Sequence, residues 1–205
     1  MRLSENHMKT KKSWIRSELP QILLIIALIL AARSSLADHY YVPSGSMEYT
    51  LLPGDRVLVS KLAYGLRLPF TNIEFGSGAA VERGDVVIFD SPRDGTRLIK
   101  RIVAIGGDTV SIRDGHLSIN GIALATGADD LEMFGERIVA LNLRDGGGPD
   151  IQNALIPPHM LLAIGDHRGS SLDGRFFGLV DENDVYGKAL GVYRRRGEGF
   201  IWNPL

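Results

Sequence analysis

Ser44-Gly45-Ser46 places two hydroxyls on a glycine-relaxed turn, with Pro43 before it and Met47 after it. A serine oxygen becomes a nucleophile when a base removes its proton, and acyl transfer also needs hydrogen-bond donors aimed at the developing oxyanion. A tight turn serves both needs, because it exposes one hydroxyl and points its own backbone N–H at the same atom. Ser and Gly are also default turn residues. The search for a base therefore decides the reading.

The chain has five histidines. His7 lies in the N-terminal tail, His39 in the linker after the apolar run, His116 in a hairpin turn, and His159 behind Pro157-Pro158. Only His167, in Gly165-Asp166-His167-Arg168, falls in a site-like loop. Lysine is the alternative. Along Leu98-Ile99-Lys100-Arg101-Ile102-Val103 side chains alternate faces, so Lys100 shares its face with Leu98 and Ile102. Pinned among aliphatic groups, an ammonium loses hydration and its pKa falls, which turns it into a general base near neutral pH. On an open edge strand the same amine would reach water and stay charged. Arg101 cannot serve, because guanidinium does not deprotonate in proteins.

These residues must be held by strands. Arg56 to Ser60, Val86 to Phe89, Leu98 to Ile105, Val110 to Ile112, Leu117 to Ile119, Met160 to Ile164 and Ala189 to Tyr193 read as strands, separated by Gly- and Pro-bearing turns. Asp114-Gly115 is the strongest hairpin signal. No convincing helical period follows the N-terminal segment, so the fold class is mainly β and antiparallel. Residues 114–152, ending in Gly146-Gly147-Gly148-Pro149, read as a loop-rich insertion.

Composition bounds the rest. With 205 residues and 44% hydrophobic content, the chain can bury one sizeable core and carry an appendage. A formal net charge of −1 argues against nucleic acid as a partner. The absence of cysteine excludes disulfides, thiolate catalysis and Cys-ligated zinc, and no metal or cofactor is expected. Lys9, Lys11, Lys12 and Arg16 precede an apolar run from Leu19 to Ala32, closed by Arg33. The run is about 14 residues, short of the roughly 20 that span a bilayer comfortably, but Trp14, Ile15 and Leu36 extend it. The basic flank predicts a cytoplasmic tail over 1–18, a transmembrane signal anchor over 19–37, and an extracytoplasmic domain over 38–205. A cleavable signal peptide ending near Ser35-Leu36-Ala37 is the rival reading. The lipid bilayer is thus an expected partner.

The motifs together resemble bacterial type I signal peptidases. Pro43 to Met47 followed by Thr50-Leu51-Leu52-Pro53-Gly54-Asp55 is similar to the family's nucleophile box, which Lys61-Leu62-Ala63-Tyr64-Gly65 continues. Arg83-Gly84-Asp85-Val86-Val87, and Ile99-Lys100-Arg101 through Gly107-Asp108, resemble the boxes around its lysine. Gly165 to Arg175, then Phe177-Gly178, resembles the last box. The resemblance implies a Ser-Lys dyad of Ser46 and Lys100, with Ser44 completing the oxyanion hole and Ser171 orienting the lysine. It also implies a supporting ion pair, Asp173 with Arg175, and a pocket for small substrate side chains lined by Val42, Met47, Leu51 and Ile99. The implied fold is an antiparallel β structure with a membrane-associated apolar surface. Signal-peptide-bearing preproteins, cut after Ala-x-Ala-like sites at the outer face of the cytoplasmic membrane, are the implied substrates. The chain departs from the family pattern at Tyr49, where proline is usual, and at His167, Gly169-Ser170 and Gly174 in the last box. A specialised peptidase maturing conjugative pilins, and an anchored inactive β-domain binding exported proteins, are the alternatives.

Overall fold

The computed structural model describes residues 18–26, 37–64, 66–67, 74–75, 79–127 and 130–205. The expected basic tail lies outside these except for residue 18, and so do residues 27–36 of the expected anchor. Residues 18–26 are helical (α1) and expose Leu19, Ile22, Leu23, Leu24, Ile25 and Ile26. Among the described residues, no helix is long and apolar enough to cross a membrane.

The strands are β1 (Ala37–Tyr41), β2 (Arg56–Ser60), β3 (Leu66–Arg67), β4 (Glu74–Phe75), β5 (Val86–Asp90), β6 (Arg97–Ala104), β7 (Thr109–Arg113) and β8 (His116–Ile119). There follow β9 (Ile122–Ala123), β10 (Leu131–Phe134), β11 (Arg137–Ala140), β12 (Ile151–Leu155), β13 (Met160–Ile164), β14 (Val180–Asp181), β15 (Val185–Arg195) and β16 (Gly199–Pro204). A single-turn helix α2 spans Gly174–Phe177. The main sheet runs β1-β2-β15-β5-β6-β13-β14, with β16 on β15, and a second sheet runs β12-β7-β8-β9. Every named strand pair is antiparallel. The mainly β expectation holds.

Strand β5 shows how the main sheet is covered on both faces. Val86 and Ile88 enter one core with Val42, Met47, Leu51, Val57, Val59 and Ile99. Val87 and Phe89 enter another with Ile102, Leu161, Ala163 and Val185. Alternation along a strand sends successive side chains to opposite faces, so continuous burial requires both faces to be packed.

Residues 114–152 carry short strands between their loops. They contain β8 to β11 and the start of β12, and Leu117, Ile119, Phe134, Val139 and Leu141 join Val103, Val110, Ile112, Ile156 and Ile164 in a third core. The strands are two to five residues long, and such pieces are too short for their alternation to stand out from the turns between them. Asp114 and Gly115 both have positive φ, 50° and 87°, the requirement of the tight turn that the Asp-Gly pair predicts.

Candidate active site

The serine turn hangs between β1 and β2 and is pinned at each end. Val42 N donates to Asp55 O at 3.0 Å, and Gly54 N donates to Val42 O at 2.8 Å. Asp55, fully buried, accepts from Leu52 N and from Arg195 on β15. Within the turn Glu48 N donates to Gly45 O, and Leu51 N to Met47 O. Met47 and Leu51 drop into the core at 0% exposure, while Ser46 stays at the surface of that core at 9%. The alternation of anchored apolar residues and turn bonds thus fixes the hydroxyl in place.

Lys100 comes from the middle of β6, opposite Val87 of β5. Leu98 and Ile102, on its own face, pack with the Val87 core, whereas Ile99 joins the opposite core. Lys100 is 3% exposed, and its Nζ lies 2.6 Å from Ser46 Oγ. Desolvation lowers its pKa from 10.5 to about 8, opposed by the charges of Asp173 and Asp166 and assisted by Arg175. A sizeable neutral fraction at ordinary pH follows. Ser44 Oγ stands 3.5 Å from Ser46 Oγ.

The loop after β13 closes the site from the third side. His167 N donates to Ser46 O at 3.1 Å, so this loop is tied to the nucleophile's own backbone. Asp166 holds Arg101 through two bonds, at 2.9 and 2.7 Å, in a pair with side-chain exposures of 1% and 3%. Thr50 bonds both partners and Arg101 also donates to Gly84 O. Arg101, unusable as a base, is therefore the cross-brace from β6 to the last loop. Asp173 and Arg175 form the expected ion pair, buried and bidentate, and Arg175 reaches on to Gly147 O and Arg168 O. Asp173 also accepts from Gly165 N. A Cβ at Gly165 would collide with Ser171 Oγ and Ser46 O, so the close approach of this loop to the nucleophile requires glycine there.

Two expectations meet a different geometry. Ser171 is buried beside Gly165, but its hydroxyl has no hydrogen-bond partner among the described residues, so the bond that would orient Lys100 is not formed in this state. The cleft at Ser46, about 490 Å³, is lined by Ser44, Gly45, Glu48, Leu98, Lys100, His167, Ser170 and Leu172. Val42, Met47, Leu51 and Ile99, at 5% exposure or less, belong to a packed core and are not among the residues of that lining. For Ile99 the reason is strand alternation, which faces it away from Lys100; Met47 is carried into the core by the serine turn.

Among the described residues, the His167 ring makes no hydrogen bond to Ser46 Oγ. Its Nδ1 stands 3.3 Å from Gly45 O and its Nε2 2.9 Å from Asp145 Oδ2, which places it as a strut beside the turn. Sequence reading did not single out Glu48, Leu98, Ser170 or Leu172 as site residues. Leu98 carried a usable signal, since it shares the Lys100 face. Among the described residues no group of three or more His, Cys, Asp or Glu side chains could hold a metal ion.

Comparison with known proteins gives the family. A signal peptidase I of Pseudomonas fluorescens is 32% identical over 196 residues, covering 82% of this chain and 69% of its own. A signal peptidase I of Aquifex aeolicus is 28% identical, covering 87% and 84%. A solved signal peptidase I from Enterococcus faecalis is 28% identical, with a TM-score of 0.39, covering 54% of this chain and 97% of its own. The family model described as signal peptidase, peptidase S26, matches residues 12–194, and with Ser46, Lys100 and the loop that braces them inside that match, the chain belongs to the S26 signal peptidases.

Proposed function

We propose that the protein is a membrane-attached serine endopeptidase that removes signal peptides from exported preproteins, with Ser46 as nucleophile and Lys100 as general base. The observation that carries this is the 2.6 Å contact of Lys100 Nζ with Ser46 Oγ inside a buried, solvent-poor site. Neutral Lys100 takes the Ser46 proton as the oxygen attacks the scissile carbonyl. The oxyanion is held by Ser46 N–H and by the Ser44 hydroxyl, which can swing from Ser46 Oγ to the new charge. The resulting lysine ammonium protonates the departing amine, leaving an acyl-enzyme and a neutral lysine. Water then attacks by the same route, and Ser46 recovers its proton.

The attachment rests on the basic flank and apolar run of residues 9–33, which would anchor the chain with its N-terminus cytoplasmic and residues 38–205 outside. Ser46 follows Arg33 so closely that an extended link reaches only about 45 Å, near the level at which a signal peptide leaves the bilayer. Phe200 and Trp202, exposed on strand β16, which among the described residues pairs with β15 alone, suit the same interface. Incubating detergent-solubilised protein with a preprotein, beside a Ser46→Ala control, tests the reading. Processing that survives in the control rejects it.

A further inference from the structure

The cleft at Ser46 carries a carboxylate that acyl transfer does not use. Glu48 lines it, two residues beyond the nucleophile. Its side chain lies back over the serine turn, where a Cβ on Gly45 would meet Glu48 Oε1 at 2.7 Å. The other oxygen, Oε2, lies 3.3 Å from Asn142 Nδ2 and 3.8 Å from His167 Nδ1. The first partner is a neutral amide, and the second contact is longer than a hydrogen bond. Glu48 lines the same cleft as Ser46 and Lys100, so its carboxylate faces the space a substrate would enter. Its side chain is 31% exposed, open enough to meet a ligand and enclosed enough to be felt. Asp145, 61% exposed on the far side of His167, adds a second negative group at the same rim. The remaining wall, Leu98, Leu172, Ser44 and Ser170, is uncharged. With Lys100 neutral in the competent state, the cleft is acidic.

We propose that Glu48 is a specificity-determining residue that favours preproteins bearing a basic side chain directly after the scissile bond. This rests on the Ser46–Lys100 reading and adds a preference to it. If cleavage follows Ala-x-Ala-like sites, the residue directly before the cut is small, whereas the residue directly after it is left unrestricted. A long cationic side chain then has its place on the leaving-group side. A partly exposed charge pair discriminates modestly, by about three- to tenfold in kcat/KM.

The test uses two preproteins identical except for Lys or Gln directly after the cut, processed by the full chain in detergent. The wild type is expected to favour the Lys substrate about three- to tenfold. Glu48→Gln, nearly isosteric, should bring the ratio close to one, and Glu48→Lys should invert it. Raising salt to about 1 M should compress the wild-type ratio, because the Debye length falls to about 3 Å. Equal cleavage of both substrates by the wild type, or the same ratio in wild type and Glu48→Gln, overturns the proposal while Ser46-dependent turnover stands. Loss of the dyad reading has a different signature, namely processing that is unaffected by Ser46→Ala.

Discussion

Arg168 and Glu132 meet in a fully enclosed ion pair, Nη2 to Oε2 2.6 Å, with both side chains at 0% exposure. The pair joins the loop that closes the Ser46–Lys100 site to strand β10 of the small sheet region. Arg168 also donates to Gly115 O in the β7–β8 turn, and Glu132 accepts from Leu117 N at 2.7 Å. Residues 114–152 thus serve as a buttress for the loop bearing Ser171 and Asp173. Glu132→Gln would leave a guanidinium buried without its counter-charge, a loss of about 3–5 kcal/mol when a buried pair is broken. Chemical denaturation of the solubilised protein checks it. A change below about 1 kcal/mol would show that the buttress is held by apolar packing instead.

Lys100 should set the pH dependence of turnover. Its pKa is lowered to about 8, so kcat/KM should rise with pH and level off above that value as the neutral amine accumulates. The same shift costs stability. Below pH 8 the amine is charged in the folded and unfolded chain alike, and the full desolvation penalty is present. The penalty fades between pH 8 and 10.5, as only the unfolded chain still holds the proton. A shift of this size corresponds to about 3 kcal/mol. Lys100→Met should therefore abolish cleavage and yet raise Tm at pH 7, whereas Lys100→Arg should be inactive without that gain. A kcat/KM profile that rises near pH 6.5 and is lost in His167→Gln would give the base to histidine.

Much of the scaffold was legible because its signals are local. Arg56–Ser60 and Met160–Ile164 coincide with β2 and β13, each being a single apolar run bounded by Pro-Gly-Asp or Pro-Pro. Asn120-Gly121 carries the same turn chemistry as Asp114-Gly115, with φ of 54° and 80°, yet the hairpin it closes was hidden because β9 has only two residues. What no local pattern reveals is order in the sheet. Strand β15, late in the chain, inserts between β2 and β5 and so fixes the distance between the serine turn and the lysine strand. Partners such as Asp166 for Arg101, or Glu132 for Arg168, are 65 and 36 residues apart, and periodicity says nothing at that range. The core position of Ile99 follows from alternation once Lys100 is taken as facing the cleft, whereas that of Met47 depends on the turn and has no such local signal.

Ser44→Ala should lower kcat by roughly a hundredfold or more, the usual effect of removing one oxyanion donor, with little change in KM. Its hydroxyl is within 3.5 Å of Ser46 Oγ, close enough to move onto the new charge without backbone adjustment. Single-turnover kinetics separate the terms. A loss confined to KM would make Ser44 a binding residue.

Ser171→Ala separates folding from catalysis. The buried Ser171 hydroxyl has no partner among the described residues, so its removal relieves an unsatisfied polar group and should leave stability unchanged or slightly higher. If the hydroxyl turns to Lys100 during turnover, kcat should still fall, by about tenfold for one lost hydrogen bond. Unchanged kcat in a fully folded variant would remove Ser171 from the mechanism.

The residue just before the cut should be restricted to small side chains. Leu98 and Leu172 wall the cleft, while Val42, Met47, Leu51 and Ile99 belong to one packed core, in which Met47 adjoins Ser46 and Ile99 adjoins Lys100 along the chain. Close-packed interiors yield little when a group is added, so that core cannot retreat to admit a larger substrate residue. Replacing Ala by Leu there should force overpacking of about 1–3 kcal/mol, or roughly ten- to over a hundredfold in kcat/KM. Met47→Ala, by opening space behind the turn, should narrow the gap between the two substrates at some cost in stability. The measurement is a preprotein series varied at that residue alone, in detergent or lipid. Equal cleavage after Ala, Leu and Phe would sink the small-residue preference and with it the Ala-x-Ala rule, while leaving the chemistry of Ser46 and Lys100 untouched.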